Sequence, residues 1–490
     1  MPARPYRELR VGQRDRHHAT SMDGNNSRWF SQRVDHFSDS PETWMQRYFV
    51  NETFFRMGSG PVFLCVGGEG PPMTEQVVVT GENHCALMVH LARIHGALIL
   101  ALEHRYYGES HPRKDLSVEN MRFLSSRQAL EDIASFHSHI RSAFAISSKQ
   151  RWITFGGSYP GMLAAWSHAK FPHLFHAAVS SSAPVQAILN MKGYNNVVAS
   201  DFADETLGGS MLCLNTIKGA FAQVGEYLLS YEGRRYLKTR FSVCGGDDVL
   251  EDIKNRALFA ETLSDPLIPQ SNDPSCTSPL CDIRRQCKFL TDQSLGKPLD
   301  RLVAMMDSVR DGSCLDTDYQ MMLAGLQDIK ISEDRTDRTW FYQTCTEFGF
   351  YQTCDPDSRC PFVSSPHLNN VYFSTDMCKV VFNMSFEKTA EFVRESNNEY
   401  GGLNLQSYNI IFVNGGADPW KSQSMLHPSN AYVQTVMVKG ASHHFWTHPE
   451  LPTDSTEVKH ARRIIAQFVR DVLAQKASHS ERSRAADVLT

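Results

Sequence analysis

No stretch of this 490-residue sequence approaches the roughly 18 to 20 uninterrupted apolar residues of a membrane-spanning helix, which argues against membrane insertion and for a soluble protein. Blocks of like charge are also missing, and the net charge is only −5. Such a chain builds no field that would gather nucleic acid or an anionic membrane surface, so neither is an expected partner. Metal-site spacing is absent too: Cys276, Cys281 and Cys287 lack the paired two-residue spacing and accompanying histidines of tetrahedral zinc sites. No metal and no cofactor is therefore expected. The opening MPARPYRELRVGQRDRHH has no apolar run of the signal-peptide kind, so either the start is missing or misassigned, or an inference of a secretory compartment from the cysteines is wrong. Internal repeats and low-complexity tracts are lacking as well.

Cysteine, by contrast, is plentiful. There are twelve, an even number, and ten fall in one stretch from Cys213 to Cys378. That density fits a disulfide-bonded protein of the secretory route. Three Asn-x-Ser/Thr triplets, at Asn25, Asn51 and Asn383, agree with glycosylation there.

A chain of this length exceeds what one compact core organises, which leaves two units or one interrupted fold. Residues 1–27 are polar and arginine-rich without periodicity, and 475–490 are similar; both ends are expected to be disordered. Between them, short apolar runs such as Pro61-Val-Phe-Leu-Cys-Val66, Ala97-Leu-Ile-Leu-Ala-Leu102 and Arg151-Trp-Ile-Thr-Phe155 alternate with helix-length amphipathic segments. Runs of this kind read as buried parallel strands, and the alternation as an α/β sheet with helices on both faces. The rhythm stops after Pro184 and returns at Tyr408-Asn-Ile-Ile-Phe-Val413 and Val433-Gln-Thr-Val-Met-Val438. The expectation is an α/β core in two parts, residues 28–189 and 401–474, interrupted by a mostly helical, cysteine-rich insertion over 190–400.

The sharpest local signal is Phe155-Gly156-Gly157-Ser158-Tyr159-Pro160-Gly161, between a predicted strand and a predicted helix. A serine there sits on a tight turn with its hydroxyl projecting from the strand end, and the Tyr159 N–H at the helix start can donate to an oxyanion. In α/β hydrolases an acid and then a histidine follow the serine, each on a loop after a later strand. Here Asp418 follows the strand ending at Val413, and His443 follows the one ending at Val438. A serine hydroxyl is a poor nucleophile until a histidine takes its proton and a carboxylate orients that histidine, which is why these three residue types are needed together. Spacing cannot separate His443 from the adjacent His444. A second oxyanion donor is expected from Gly67 or Gly68 in the glycine-rich loop after the first apolar run. Met162 and Trp420, each next to a member of the trio, are candidates to line a substrate pocket; Glu69 or Glu347 could hold a substrate amino terminus, and Arg105 a carboxylate.

At these residues the chain resembles the serine peptidase family of lysosomal Pro-X carboxypeptidase and dipeptidyl peptidase II. The likeness runs over roughly residues 28–474 and includes Glu103-His-Arg-Tyr-Tyr-Gly-Glu-Ser110, Trp340-Phe-Tyr-Gln-Thr-Cys-Thr-Glu347, Gly416-Ala-Asp-Pro-Trp420 and Ala441-Ser-His-His444. Within the family, Arg122-Phe-Leu-Ser-Ser-Arg127 and Lys170-Phe-Pro-His-Leu174 lean toward the thymus-specific branch. The resemblance implies an α/β-hydrolase core capped by a helical, disulfide-bonded insertion. It favours His443 as the base and implies a lysosomal, endosomal or secreted exopeptidase acting on peptides after proline or another small residue, hence a small apolar pocket, and it leaves a homodimer open. Two departures bear on the pocket: Pro160 stands where glycine or alanine is usual, and Phe445-Trp446 where Leu-Asp is common. A carboxylesterase or lipase shares the trio, and a non-catalytic binding protein can share the scaffold.

Overall fold

The computed structural model describes residues 26–475 apart from 82–83, 269, 271, 273–279, 333–335, 363–367 and 369. Nearly all of both polar ends, including Asn25 of the first glycosylation triplet, lie outside the described residues. Ten strands are formed: β1 (Ser27–Arg33), β2 (Thr43–Asn51), β3 (Val62–Val66), β4 (Leu98–Leu102), β5 (Trp152–Gly157), β6 (Ala177–Ser181), β7 (Ile188–Asn190), β8 (Gly349–Tyr351), β9 (Ile410–Gly415) and β10 (Val433–Val438). Eight make one sheet in the order β1-β2-β4-β3-β5-β6-β9-β10, and β7 with β8 makes a small second one. The pairs β1–β2 and β2–β4 are antiparallel, and from β4 to β10 all neighbours are parallel.

The side-chain pattern of the central strands explains their burial on both faces. Val62, Leu64 and Val66 of β3 enter one apolar cluster while Phe63 and Cys65 enter the other, and β4 divides in the same way. A parallel strand covered on both sides needs this continuous apolar run, because no alternate residue faces water. The helices Ala86–His95 and Thr456–Ala474 close one face; the helices Ser126–Ala143 and Tyr159–Lys170 close the other.

Between β6 and β9 the chain leaves the main sheet for a long, mainly helical excursion. Among the described residues four disulfides are internal to it: Cys213–Cys287, Cys244–Cys314, Cys345–Cys378 and Cys354–Cys360. A fifth, Cys65–Cys85, ties β3 to the helix Ala86–His95. The excursion does not bury a separate core. Trp166 of the core stacks on Tyr400 at 3.8 Å, Tyr159 packs against Trp340 and Phe348, and all of them belong to one apolar cluster. No helix among the described residues is long and apolar enough to cross a membrane.

Candidate active site

Because β5, β6, β9 and β10 are neighbours and parallel, the loops that follow them emerge side by side at one edge of the sheet. Those loops carry Ser158, Ser182, Asp418 and His443. Ser158 holds the strained backbone of a strand-to-helix elbow, with φ 61° and ψ −132°, and its N–H donates to Ser181 O at 2.9 Å. Gly156 permits the elbow, since a Cβ there would lie 2.2 Å from Pro160 O. Pro160 itself fits the first turn of the helix, where its missing N–H has no helical acceptor in any case. Its ring fills the space beside Gly68, whose added Cβ would come within 2.4 Å of the ring.

Asp418 is fully buried and both of its oxygens are engaged: Oδ1 accepts the Trp420 N–H at 2.9 Å, and Oδ2 lies 2.9 Å from His443 Nδ1. Capping the short turn Pro419–Gln423 thus aims the carboxylate at the imidazole. With Nδ1 held, the imidazole carries its proton there and leaves Nε2 to accept another. Among the described residues no hydrogen bond joins His443 to Ser158, so the carboxylate–histidine half of the relay is closed and the serine half is not. The geometry separates the two adjacent histidines. His444 takes a left-handed backbone, its N–H donates to Ser182 Oγ at 2.8 Å, and its ring lies against Gly157 and is held well below the usual imidazole range by burial. The same strand end, Ser181-Ser182, therefore anchors both the elbow and the histidine loop; Trp446 Nε1 adds a bond to Ser181 Oγ at 3.0 Å.

Several sequence expectations need correction. The Gly67 N–H donates to Leu102 O at 2.9 Å as part of the sheet, so it is not free to serve an oxyanion, which leaves Gly68 as the candidate of the pair. Met162 is fully buried in the core beneath the helix and lines no surface. Glu347 is saturated: its carboxylate accepts the Ser126 N–H at 2.9 Å, the Ser126 hydroxyl and Gln343 Nε2. Arg105 is buried in a two-bond pair with Asp132 at 2.6 Å and donates to the Val34 and Phe123 carbonyls. Both are structural. Trp420 stands where a pocket wall should, with its ring 6.1 Å from that of His443 and edge-on to Tyr194 and Phe350. Glu69 is half-exposed as a residue, yet its Oε2 is buried without a hydrogen-bond partner. Desolvation pushes its carboxyl up to about 7, against a small opposing effect of its own N–H and of His443.

The sequence reading missed what the insertion contributes. Gln270 accepts the His443 N–H on its carbonyl at 3.2 Å and the Tyr194 hydroxyl on its side chain at 3.0 Å. Gln343 donates to the Tyr159 hydroxyl at 3.0 Å, on which His104 also converges. Only the Trp340–Glu347 motif gave a signal for Gln343; nothing local marks Gln270 or Tyr194. One cluster of metal-ligand residue types, Cys65, His84 and Cys85, offers no thiolate because the two sulfurs are bonded to each other.

An oriented carboxylate–histidine pair beside a strained serine, in this chain order and on this sheet, is the equipment for acyl transfer. The comparisons agree. Human thymus-specific serine protease is 35% identical over 461 residues, covering 90% of this chain and 85% of its own length. Human lysosomal Pro-X carboxypeptidase is 26% identical over 467 residues, covering 90% and 88%. Of solved structures, proline iminopeptidase from Mycobacterium smegmatis aligns with a TM-score of 0.36 at 15% identity, over 91% of this chain and 99% of that one. The family model for serine carboxypeptidase S28 matches residues 32–465, and the chain accordingly belongs to that family of serine peptidases with an α/β-hydrolase fold.

Proposed function

We propose that this peptidase is an exopeptidase that cleaves after proline or another small residue through an acyl-enzyme on Ser158. The single observation that carries the proposal is the 2.9 Å contact between fully buried Asp418 and His443 at the strand ends next to the Ser158 elbow. Ser158 Oγ attacks the peptide carbonyl as His443 Nε2 takes its proton; the Tyr159 and Gly68 N–H groups hold the oxyanion; His443 returns the proton to the leaving amine; water then releases the acyl group. Trp420, its ring 6.1 Å from that of His443 and backed by the fully buried Tyr194 and Phe350, sets an aromatic face beside the base, which suits a compact apolar side chain better than a charged one. The insertion touches the base through Gln270, and an element so close to the chemistry limits how far a substrate can extend past it. The disulfides and the name of the Pro-X relative support a lysosomal, endosomal or secreted location.

The test is labelling of the full chain by a fluorophosphonate probe, with hydrolysis of Xaa-Pro peptides and p-nitrophenyl esters measured in parallel. Ser158→Ala should abolish labelling and peptide hydrolysis together. Esters turned over while no peptide is cleaved would remove the peptidase reading and leave an esterase.

A further inference from the structure

We propose that Glu69 is the anchor for a substrate's free amino terminus, so that the enzyme removes short segments from the N-terminal end of peptides. This rests on the reading of Ser158 as the nucleophile of a peptidase and adds the direction of cleavage to it. Glu69 follows the Gly67-Gly68 loop directly, one residue beyond the remaining oxyanion donor, and its carboxylate has His443 and Tyr107 as electrostatic neighbours. It thus stands on the loop that borders the reacting centre. Its Oε2 is shielded from solvent and has no partner, and no ion pair to Glu69 exists among the described residues.

The contrast with the carboxylates around it is the core of the argument. Glu103, below the same loop, accepts from the Met73 N–H, the Glu109 N–H and Ser110 Oγ. Glu347 and Asp132 are equally filled. A buried carboxylate oxygen without a donor is costly, and a cation that arrives with the substrate satisfies it. The chemical class that fits is a primary or proline-type ammonium, a compact donor with its charge a residue or two from the scissile carbonyl. A substrate carboxylate would need a cation instead. The cations that might receive one are engaged elsewhere: Arg105 with Asp132, and Lys421 with the Gly416 carbonyl.

The experiment compares Ala-Pro-aminomethylcoumarin with its N-acetylated form, and adds an N-blocked peptide with a free carboxyl end after Pro, on the full chain as wild type, Glu69→Gln, Glu69→Asp and Ser158→Ala. The expected result is that wild type prefers the free amine by on the order of 10- to 100-fold in kcat/KM, the worth of one charge-assisted bond. That ratio should collapse toward unity in Glu69→Gln, mainly through KM, and be partly restored in Glu69→Asp. Equal rates on free and acetylated substrate, or a Glu69→Gln loss of the same factor on both, would overturn the inference. So would cleavage of the N-blocked peptide at its carboxyl end, which leaves the peptidase reading standing. If wild type is labelled at Ser158 but cleaves none of the peptides, the peptidase reading itself falls and takes the inference with it. Should Glu69→Gln not fold, the wild-type ratio alone decides.

Discussion

The two carboxylates that face His443 are treated in opposite ways. Asp418, on the sheet side, is fully enclosed with both oxygens bonded; Glu69, on the loop side, is partly accessible and has one oxygen with no donor. The first arrangement is finished before any substrate arrives, as preorganised catalysis requires. The second is unfinished and stands on the loop beside the serine elbow, which together suit a recognition group. The difference teaches that in this chain the reacting parts are anchored to strand ends, whereas the selecting parts sit on loops and on the insertion.

The strongest way to break the comparison is to remove the finished part. Ser158→Ala or His443→Ala should lower kcat by roughly 10⁴- to 10⁶-fold, and Asp418→Asn by roughly 10⁴-fold, while His444→Ala should cost far less. Steady-state hydrolysis by the four variants checks this, and a His444→Ala enzyme as dead as His443→Ala would undo the assignment of the base. The Glu69 substitutions come next, with their smaller, substrate-dependent effect.

A third test sharpens the comparison with a carboxyl that serves neither role. Asp201 is buried, its Oδ2 has no partner, and desolvation pushes its carboxyl up to about 7, with Lys421 opposing and Asp418 reinforcing. A folded-state value above the ordinary 3.8 means that its contribution to stability is full below 3.8 and is lost as pH rises toward about 7, because the unfolded chain ionises first. Asp201→Asn has no proton to lose. It should raise Tm by several degrees at pH 7.5 and by little at pH 4, as read by thermal melts; the same difference at both pH values would refute the linkage.

Two smaller effects complete the series. Tyr194→Phe removes the hydroxyl bonded to Gln270 and should reduce turnover a few-fold, by about 1 kcal/mol, by loosening the segment that holds the His443 N–H. On the surface, exposed Asn383 should carry glycan when the chain is made in a secretory host. Asn51 should not, because it is half-buried and its amide donates to the Val78 carbonyl at 2.9 Å. Peptide mass mapping before and after glycosidase treatment distinguishes the two.

How much was legible in advance follows from the same physics. The runs at 61–66, 97–102, 151–155 and 408–413 were readable as strands because burial on both faces demands continuous apolarity. Strand β2 was not, since Trp44, Gln46 and Tyr48 face inward between exposed residues and two of the three are not plainly apolar. Ser158 and Asp418 could be placed because their order and their strand-end positions are local properties. The choice between His443 and His444 depends on which ring meets Asp418, a contact across 25 residues that spacing does not encode. Glu347 and Arg105 looked like substrate ligands for a related reason: a charged residue in a motif reveals its charge but not its partner, and here the partners are Ser126 and Asp132.

The bond from Gln343 to the Tyr159 hydroxyl has a practical side. The residue whose backbone serves the oxyanion is moored by its phenol to the insertion, and Trp166 nearby lies flat on Tyr400. Excising the insertion to make a minimal hydrolase would strip the roof from these aromatic rings and unmoor the elbow in one stroke. A shortened version of this enzyme would have to be redesigned from the elbow outward rather than simply trimmed.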